Sequence, residues 1–137
     1  MNPTRLTETA RLIVEDHGDI LLLMRPETSK SRPGEWDLPG GEVDLKETPE
    51  QAACREALEE TGLRVSVNDV ERISTTVDRD GDRTFIRHYW RIGGMVTRKS
   101  VELSTEHTGC IWVAKHKVCE QVIYVPHLIA LKHSLGA

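Results

Sequence analysis

Short apolar runs flanked by turn residues mark residues 7–14 (TETARLIV) and 19–25 (DILLLMR) as two β-strands, with Asp16, His17, Gly18 and Asp19 turning between them. The pattern predicts a hairpin feeding a sheet. Residues 26–34, rich in Pro, Ser, Thr, Lys and Arg, read as a loop. The apolar island from Trp36 to Leu38 carries that loop briefly into the core before the breaker Pro39-Gly40-Gly41. A helix is then signed at both ends. Thr48 caps it, Pro49 takes the first helical position and Gln51 completes a capping box, while Gly62 offers a left-handed stop just after Thr61. Ala53, Cys54, Ala57 and Leu58 give this helix an apolar stripe, and its opposite side is acidic.

Residues 70–78 and 84–92 read as two further strands around Arg79-Asp80-Gly81-Asp82, where Asp-Gly is a strong hairpin signal. In the second, Phe85, Arg87 and Tyr89 fall on one face and Ile86, His88 and Trp90 on the other. A polar stretch from 93 to 108, a short strand at 110–114 and an amphipathic helix around 126–135 complete the chain. Strands on either side of one well-signed helix, with another helix at the end, predict an α/β fold with a mixed central sheet and helices on its faces.

The chain has 137 residues, enough for one compact domain spanning 1–137, and shows no internal repeat. Its 18 Lys and Arg against 22 Asp and Glu give a formal charge of -4, with no basic block to steer it onto nucleic acid or an anionic membrane. A small soluble substrate is expected instead. The longest purely apolar run, Ile20 to Met24, is far short of a bilayer span, and the N-terminal residues lack a signal-peptide core, so the expected compartment is cytoplasmic. Three cysteines make no disulfide framework and suit a reducing environment.

The candidate chemistry lies on the first helix. Glu56, Glu59 and Glu60 stand at relative positions 0, 3 and 4, within an arc of about 100°. Like charges so placed cost a helix about 0.2–0.5 kcal/mol per pair, which asks for a counter-charge, and a divalent cation answers. Read as a pattern, the segment is Gly41, five residues, Glu47, seven residues, then Arg55-Glu56-Ala57-Leu58-Glu59-Glu60-Thr61-Gly62-Leu63.

This pattern resembles the signature of the Nudix hydrolases, the MutT-like nucleoside diphosphate-X pyrophosphohydrolases, with no departure at a fixed position. The likeness extends to Leu21–Arg25 and Trp36–Gly40 before it and to Glu106-His107 and Ile111-Trp112-Val113 after it. The resemblance implies a Nudix-type α/β/α sandwich and hydrolysis of a nucleoside diphosphate linked to a further group, with Mg2+ as cofactor or Mn2+ in its place. A pyrophosphate is densely anionic and repels hydroxide, so its hydrolysis needs charge neutralised and a nucleophile generated, both of which Mg2+ supplies. By the same resemblance Glu59 and Glu60 match metal ligands and the carbonyl of Gly40 a third. Glu56 matches a residue acting as general base or as an additional ligand. Arg55 orients a catalytic glutamate and pairs with Glu47, against the alternative of a surface ion pair worth about 0–1 kcal/mol.

Glu106, with Glu102 behind it, is the candidate for a further carboxylate from a distant loop; the alternative is a loop acid facing water. Arg25 and Arg87 are candidates to bind phosphates, and Phe85, Tyr89 or Trp90 to stack a base, with ordinary sheet packing as the competing explanation. Two other patterns carry less. Asp78-x-Asp80-x-Asp82 lacks the glycine and the terminal glutamate of a calcium loop, and His107, Cys110, His116 and Cys119 are held apart by the strand between them. The expected substrate is a nucleoside triphosphate, including an oxidised one. The alternatives are a nucleotide sugar, ADP-ribose or a dinucleoside polyphosphate, and beyond these a nucleotide sensor without catalysis or an allylic diphosphate isomerase. The family resemblance also makes a homodimer an expectation.

Overall fold

The computed structural model describes residues 5–94 and 98–136; residues 95–97 of the expected loop after residue 93 lie outside the described residues. The strands are β1 (Arg5–Asp16), β2 (Asp19–Met24), β3 (Trp36–Asp37), β4 (Gly40–Glu42), β5 (Glu71–Asp80), β6 (Arg83–Gly93) and β7 (Gly109–Ala114). Helix α1 (Pro49–Thr61) lies between β4 and β5, and helices α2 (Val118–Gln121) and α3 (Val125–Gly136) follow β7. All form one mixed sheet with helices on both faces.

β1 is central. It runs parallel to β6 along its length, from Arg5 opposite Arg83 to Glu15 opposite Gly93. β5 pairs antiparallel with the other side of β6, turning at Gly81 and Asp82, so the aspartates at 78–82 build a hairpin as the Asp-Gly signal predicts. The expected hairpin of β1 and β2 exists only at its tip, where Glu15 faces Ile20 and Asp16 faces Asp19. Beyond that the strands splay, and residues 36–42 fill the opening: β3 pairs with β2, and β4 with β1. β7 covers the remaining edge of β2 from Asp19 to Met24.

The Pro39-Gly40-Gly41 breaker is therefore partly strand. Gly40 sits at φ +147, and a β-carbon there would lie 2.2 Å from the Ala10 carbonyl oxygen. Only glycine lets this backbone approach β1 so closely.

Alternation along the strands sorts the core into two layers. Ala10, Leu12, Val14, Leu21, Leu23, Trp90 and Ile92 face α1, which meets them with Ala52, Ala53 and Ala57. Ile13, Ile20, Leu22, Leu38 and Tyr89 face Val118, Val122, Ala130 and Leu131 on the α2 and α3 side. Strands buried on both faces read as continuous apolar runs, which is why LIV in β1 and ILLL in β2 show little alternation.

Helix α1 has the boundaries and caps that its sequence predicts. The Thr48 hydroxyl accepts from Gln51 N, the Gln51 side chain accepts from Thr48 N, and Gly62 adopts φ +74. Its buried side differs from the expected stripe. Leu58 is exposed, and Glu60 and Thr61 are buried beside Ala53 and Ala57. Helix α2, a single turn with no side-chain cap, has no signal in the sequence.

Candidate active site

The three candidate glutamates of α1, Glu56, Glu59 and Glu60, occupy three environments. Glu60 is only 5% exposed, Glu56 is half-buried, and the Glu59 side chain is 54% exposed. Glu60 accepts the Gly40 N–H at 3.0 Å, which ties α1 to β4. Burial pushes its carboxyl up to about 8, against the Gly40 hydrogen bond and the Arg11 charge, while Glu56 and Glu106 add repulsion. Burial also raises Glu56, with Arg55 opposing. Gly41 leaves room for that carboxylate: a β-carbon on it would lie 2.7 Å from Glu56 Cδ.

Arg55 links the outer groups. Its Nε and Nη2 donate to Glu47 at 3.1 and 2.8 Å, its Nη1 to Glu56 at 3.1 Å and Glu59 at 3.3 Å, and its Nη2 to the Glu42 carbonyl at 3.1 Å. The contacts that the resemblance implies for Arg55, with Glu47 on one side and a helix glutamate on the other, are both made. The hydrogen bond from Arg55 lowers the Glu47 carboxyl.

Glu106 reaches the site because its loop is pinned to both neighbours. Glu102 N donates to Thr61 O at 2.7 Å, Ser104 N to Glu60 O at 3.0 Å and Thr108 N to Met24 O at 3.0 Å. Glu102 thus lies against the end of α1, and Glu106 and His107 enter a cavity of about 390 Å³ with Arg11, Arg25, Gly40, Gly41, Glu56 and Glu60. Ligand atoms of Glu60, Glu106 and His107 lie within 4.8 Å of one another. Among the described residues the His107, Cys110, His116 and Cys119 set does not come together. Glu59 does not line this cavity, and its carboxylate accepts from Arg55.

A second cavity, of about 440 Å³, lies on the α3 side of the sheet and shares Arg11 with the first. Phe85, Arg87 and Tyr89 line it from β6, as their common face predicts, with Arg83, Arg32 and Tyr124. Arg32 stacks on the Tyr124 ring at 4.0 Å, and Arg83 and Arg87 flank Phe85 at 5.2 and 5.1 Å. Arg87 pairs with Asp78 and donates to the Tyr124 hydroxyl at 3.1 Å. Tyr89 is wholly buried with its hydroxyl 2.7 Å from His127 Nδ1, so it forms the floor of this cavity instead of a stacking surface. Trp90 packs in the α1 layer.

Between the cavities stands Asp37, wholly buried and absent from the sequence-derived candidates. Arg25 Nη1 donates to Oδ2 at 2.9 Å and Arg11 Nη1 at 3.2 Å, Arg32 lies 3.5 Å from Oδ1, and His127 Nε2 is 2.5 Å from Oδ1. Burial pushes the Asp37 carboxyl up, but Arg11, His127 and Arg32 together hold it well below the usual carboxylate range. His127, driven down by burial to about 4 despite Asp37, is neutral, so Nε2 donates to the carboxylate and Nδ1 accepts from Tyr89. Three guanidinium groups thus surround one carboxylate, leaving positive charge for phosphates. Most of the Arg25 donors are taken up by Asp37, Ser29 and Ser31, and Arg11 alone of the three lines both cavities. An aspartate inside the apolar island Trp36 to Leu38 was the available signal, since a buried charge requires partners.

The donor set fits a hard divalent cation: carboxylates from α1 and from the Glu106 loop converge on one cavity, where burial first and their mutual repulsion after it raise Glu60. A family model described as the NUDIX domain matches residues 5–128. A MutT-like protein of Streptomyces ambofaciens is 32% identical over 125 residues, 90% of this chain and 73% of that protein. A CTP pyrophosphohydrolase of Escherichia coli is 27% identical over 116 residues, 85% of this chain and 82% of its own length. A MutT protein structure from Methanosarcina mazei superposes with a TM-score of 0.78 at 24% identity, covering 96% of this chain and 94% of the other.

Proposed function

Because the chain belongs to the Nudix family of pyrophosphohydrolases, we propose that it is a Mg2+-dependent hydrolase of nucleoside triphosphates, those with an oxidised base included. The observation that carries this reading is the pair of cavities joined at Arg11, one acidic and built for a metal and phosphates, the other aromatic and cationic. Their volumes fall in the range of about 300–1,000 Å³ of small-molecule sites. The E. coli relative is by name a CTP pyrophosphohydrolase, which supports a triphosphate as the substrate class.

In this reading Glu60 and Glu106 would hold the cation, with the Gly40 carbonyl as a further ligand, and Glu56 beside them is the base. The chemistry that Mg2+ would supply when held by these residues is neutralisation of phosphate charge and easier release of a proton from water. Water adds to a phosphorus of the phosphoanhydride, the bridging P–O bond breaks, and nucleoside monophosphate and pyrophosphate leave. Glu56 receives the proton of the water; its burial raises its affinity for one. Arg55 fixes Glu56 in the cavity and anchors it through Glu47 to the 42–47 loop. Glu59, bound by the same arginine outside the cavity, supports that arrangement. Arg11, held by Asp37 and the Leu38 carbonyl, takes charge developing on the leaving phosphates. Phe85 offers its face to the base, and Arg87 borders it.

A panel of ordinary and oxidised nucleoside triphosphates, ADP-ribose, nucleotide sugars and dinucleoside polyphosphates, assayed for pyrophosphate and phosphate release with Mg2+, tests the reading. Pyrophosphate release from a triphosphate, abolished in Glu60→Gln, is the expected result. Preference for ADP-ribose or a dinucleoside polyphosphate would replace the substrate class. Binding with no turnover of any member would replace the enzyme by a sensor.

A further inference from the structure

We propose that His107 is a nitrogen ligand of the ion held by Glu60 and Glu106, so that the metal centre of this chain is a mixed nitrogen and oxygen site. The proposal rests on the reading of the acidic cavity as a metal centre and adds one residue and a metal preference to it. Three histidines of the described residues are buried: His88, His107 and His127. His88 reaches Thr75 and Glu8 at 3.0 and 2.7 Å, and His127 reaches Tyr89 and Asp37, so both of those rings use both nitrogens. His107 is equally enclosed at 8% exposure, yet its Nδ1 is buried without a hydrogen-bond partner. A buried polar group left unpaired is costly, so a partner is missing from the protein's own atoms.

The surroundings of His107 indicate which kind of partner. The ring lines the acidic cavity, and a ring nitrogen lies within 4.8 Å of carboxylate oxygens of both Glu60 and Glu106. Among the described residues no hydrogen bond joins these three side chains. Metal–oxygen bonds of about 2.0–2.1 Å set opposite ligands of one ion roughly 4 Å apart, so a slight contraction brings all three onto a common centre. Glu60 Oε1 already accepts from Gly40, which leaves Oε2 for the ion. The Ser104 and Thr108 backbone bonds hold the segment on either side of Glu106 and His107, so the imidazole arrives with the second carboxylate at no extra ordering cost.

An imidazole changes the choice of metal. Carboxylates and water suit Mg2+ and Mn2+ alike, whereas a nitrogen donor favours first-row transition ions over Mg2+. The chain should therefore bind Mn2+ and Co2+ markedly more tightly than Mg2+, with His107 supplying the difference.

Pulsed EPR of Mn2+ bound to the full chain, prepared without a histidine tag, tests this directly. Nitrogen hyperfine coupling is expected in the wild type and in His116→Gln, and its loss in His107→Gln. Titration should show Mn2+ affinity falling about tenfold or more in His107→Gln while Mg2+ affinity changes little; outer groups alone can shift metal affinity by about 10–100-fold, so the spectrum decides. Mn2+ bound without nitrogen coupling in the wild type overturns the assignment of His107 and leaves the carboxylate centre standing. Mn2+ binding that Glu60→Gln does not weaken overturns the centre itself. His107→Asn serves as a second variant where His107→Gln melts at a lower temperature.

Discussion

Glu60 shows how a single residue is altered by its position. On the helix surface it belongs to an acidic arc, but in the fold it is buried and proton-hungry, with its carboxyl raised from 4.5 to about 8. Between those values the folded chain keeps a proton that the unfolded chain has released, so stability falls as pH rises from 4.5 to about 8 and is flat above. Glu60→Gln removes this slope and still accepts from Gly40. In chelator, urea denaturation should find the variant more stable than wild type above about pH 8, by an amount on the order of a few kcal/mol, with the gap closing toward pH 4.5. Parallel pH curves would refute this account. Asp37 is the opposite case, a carboxylate kept ionised by its partners. Asp37→Ala leaves three arginines and His127 facing one another, and a loss of about 3–5 kcal/mol in denaturant is expected, as for other broken buried pairs.

At the scale of elements, α1 and the short strand β4 act as one part of the site. The capping box starts the helix where Glu56 and Glu60 will face β4, and Gly40 and Gly41 bring that strand close enough to meet them. Thr48→Ala removes a cap hydrogen bond and should lower stability by about 1 kcal/mol, read as a drop in melting temperature with activity retained. Gly41→Ala should do the reverse. Its β-carbon would meet the Glu56 carboxylate at 2.7 Å, so turnover should fall at least tenfold with the melting temperature little changed. Unchanged turnover would show that Glu56 does not need its present position.

Across the whole molecule, the Asp37 cluster connects all the layers that matter to function. Arg11 comes from the central strand, Arg25 from the residue after β2, Asp37 from β3 and His127 from α3. Both cavities are therefore set by one buried charge, and the α3 side is tied to the chemistry on the α1 side. Phe85→Ala, on the far wall of the second cavity, should raise KM for the best nucleoside triphosphate by about tenfold while kcat stays within a few-fold, because stacking is worth about 1–3 kcal/mol of uniform binding. Equal KM values across the panel would place the base elsewhere. No helix of the described residues is long and apolar enough to cross a membrane.

Local rules were enough for much of this. The caps and length of α1, the hairpin at Gly81 and the shared face of Phe85, Arg87 and Tyr89 follow from spacing, because each depends on residues close in the chain or on one repeating geometry, while the contacts of Arg55 with Glu47 and a helix glutamate are those the family resemblance implies. The acidic face of α1 was legible for the same reason, being carried by one helix, whereas its meeting with Glu106 and His107 was not. What needed the tertiary structure was every property set by distant neighbours. The parallel pairing of β1 with β6, the wedge of residues 36–42 between β1 and β2, and the Asp37 cluster bring together positions as far as 90 residues apart. Burial likewise separated Glu60 from Glu59, two adjacent glutamates that the sequence treats alike. Charge type is written in the chain, but its cost, and so its chemistry, depends on which remote groups enclose it.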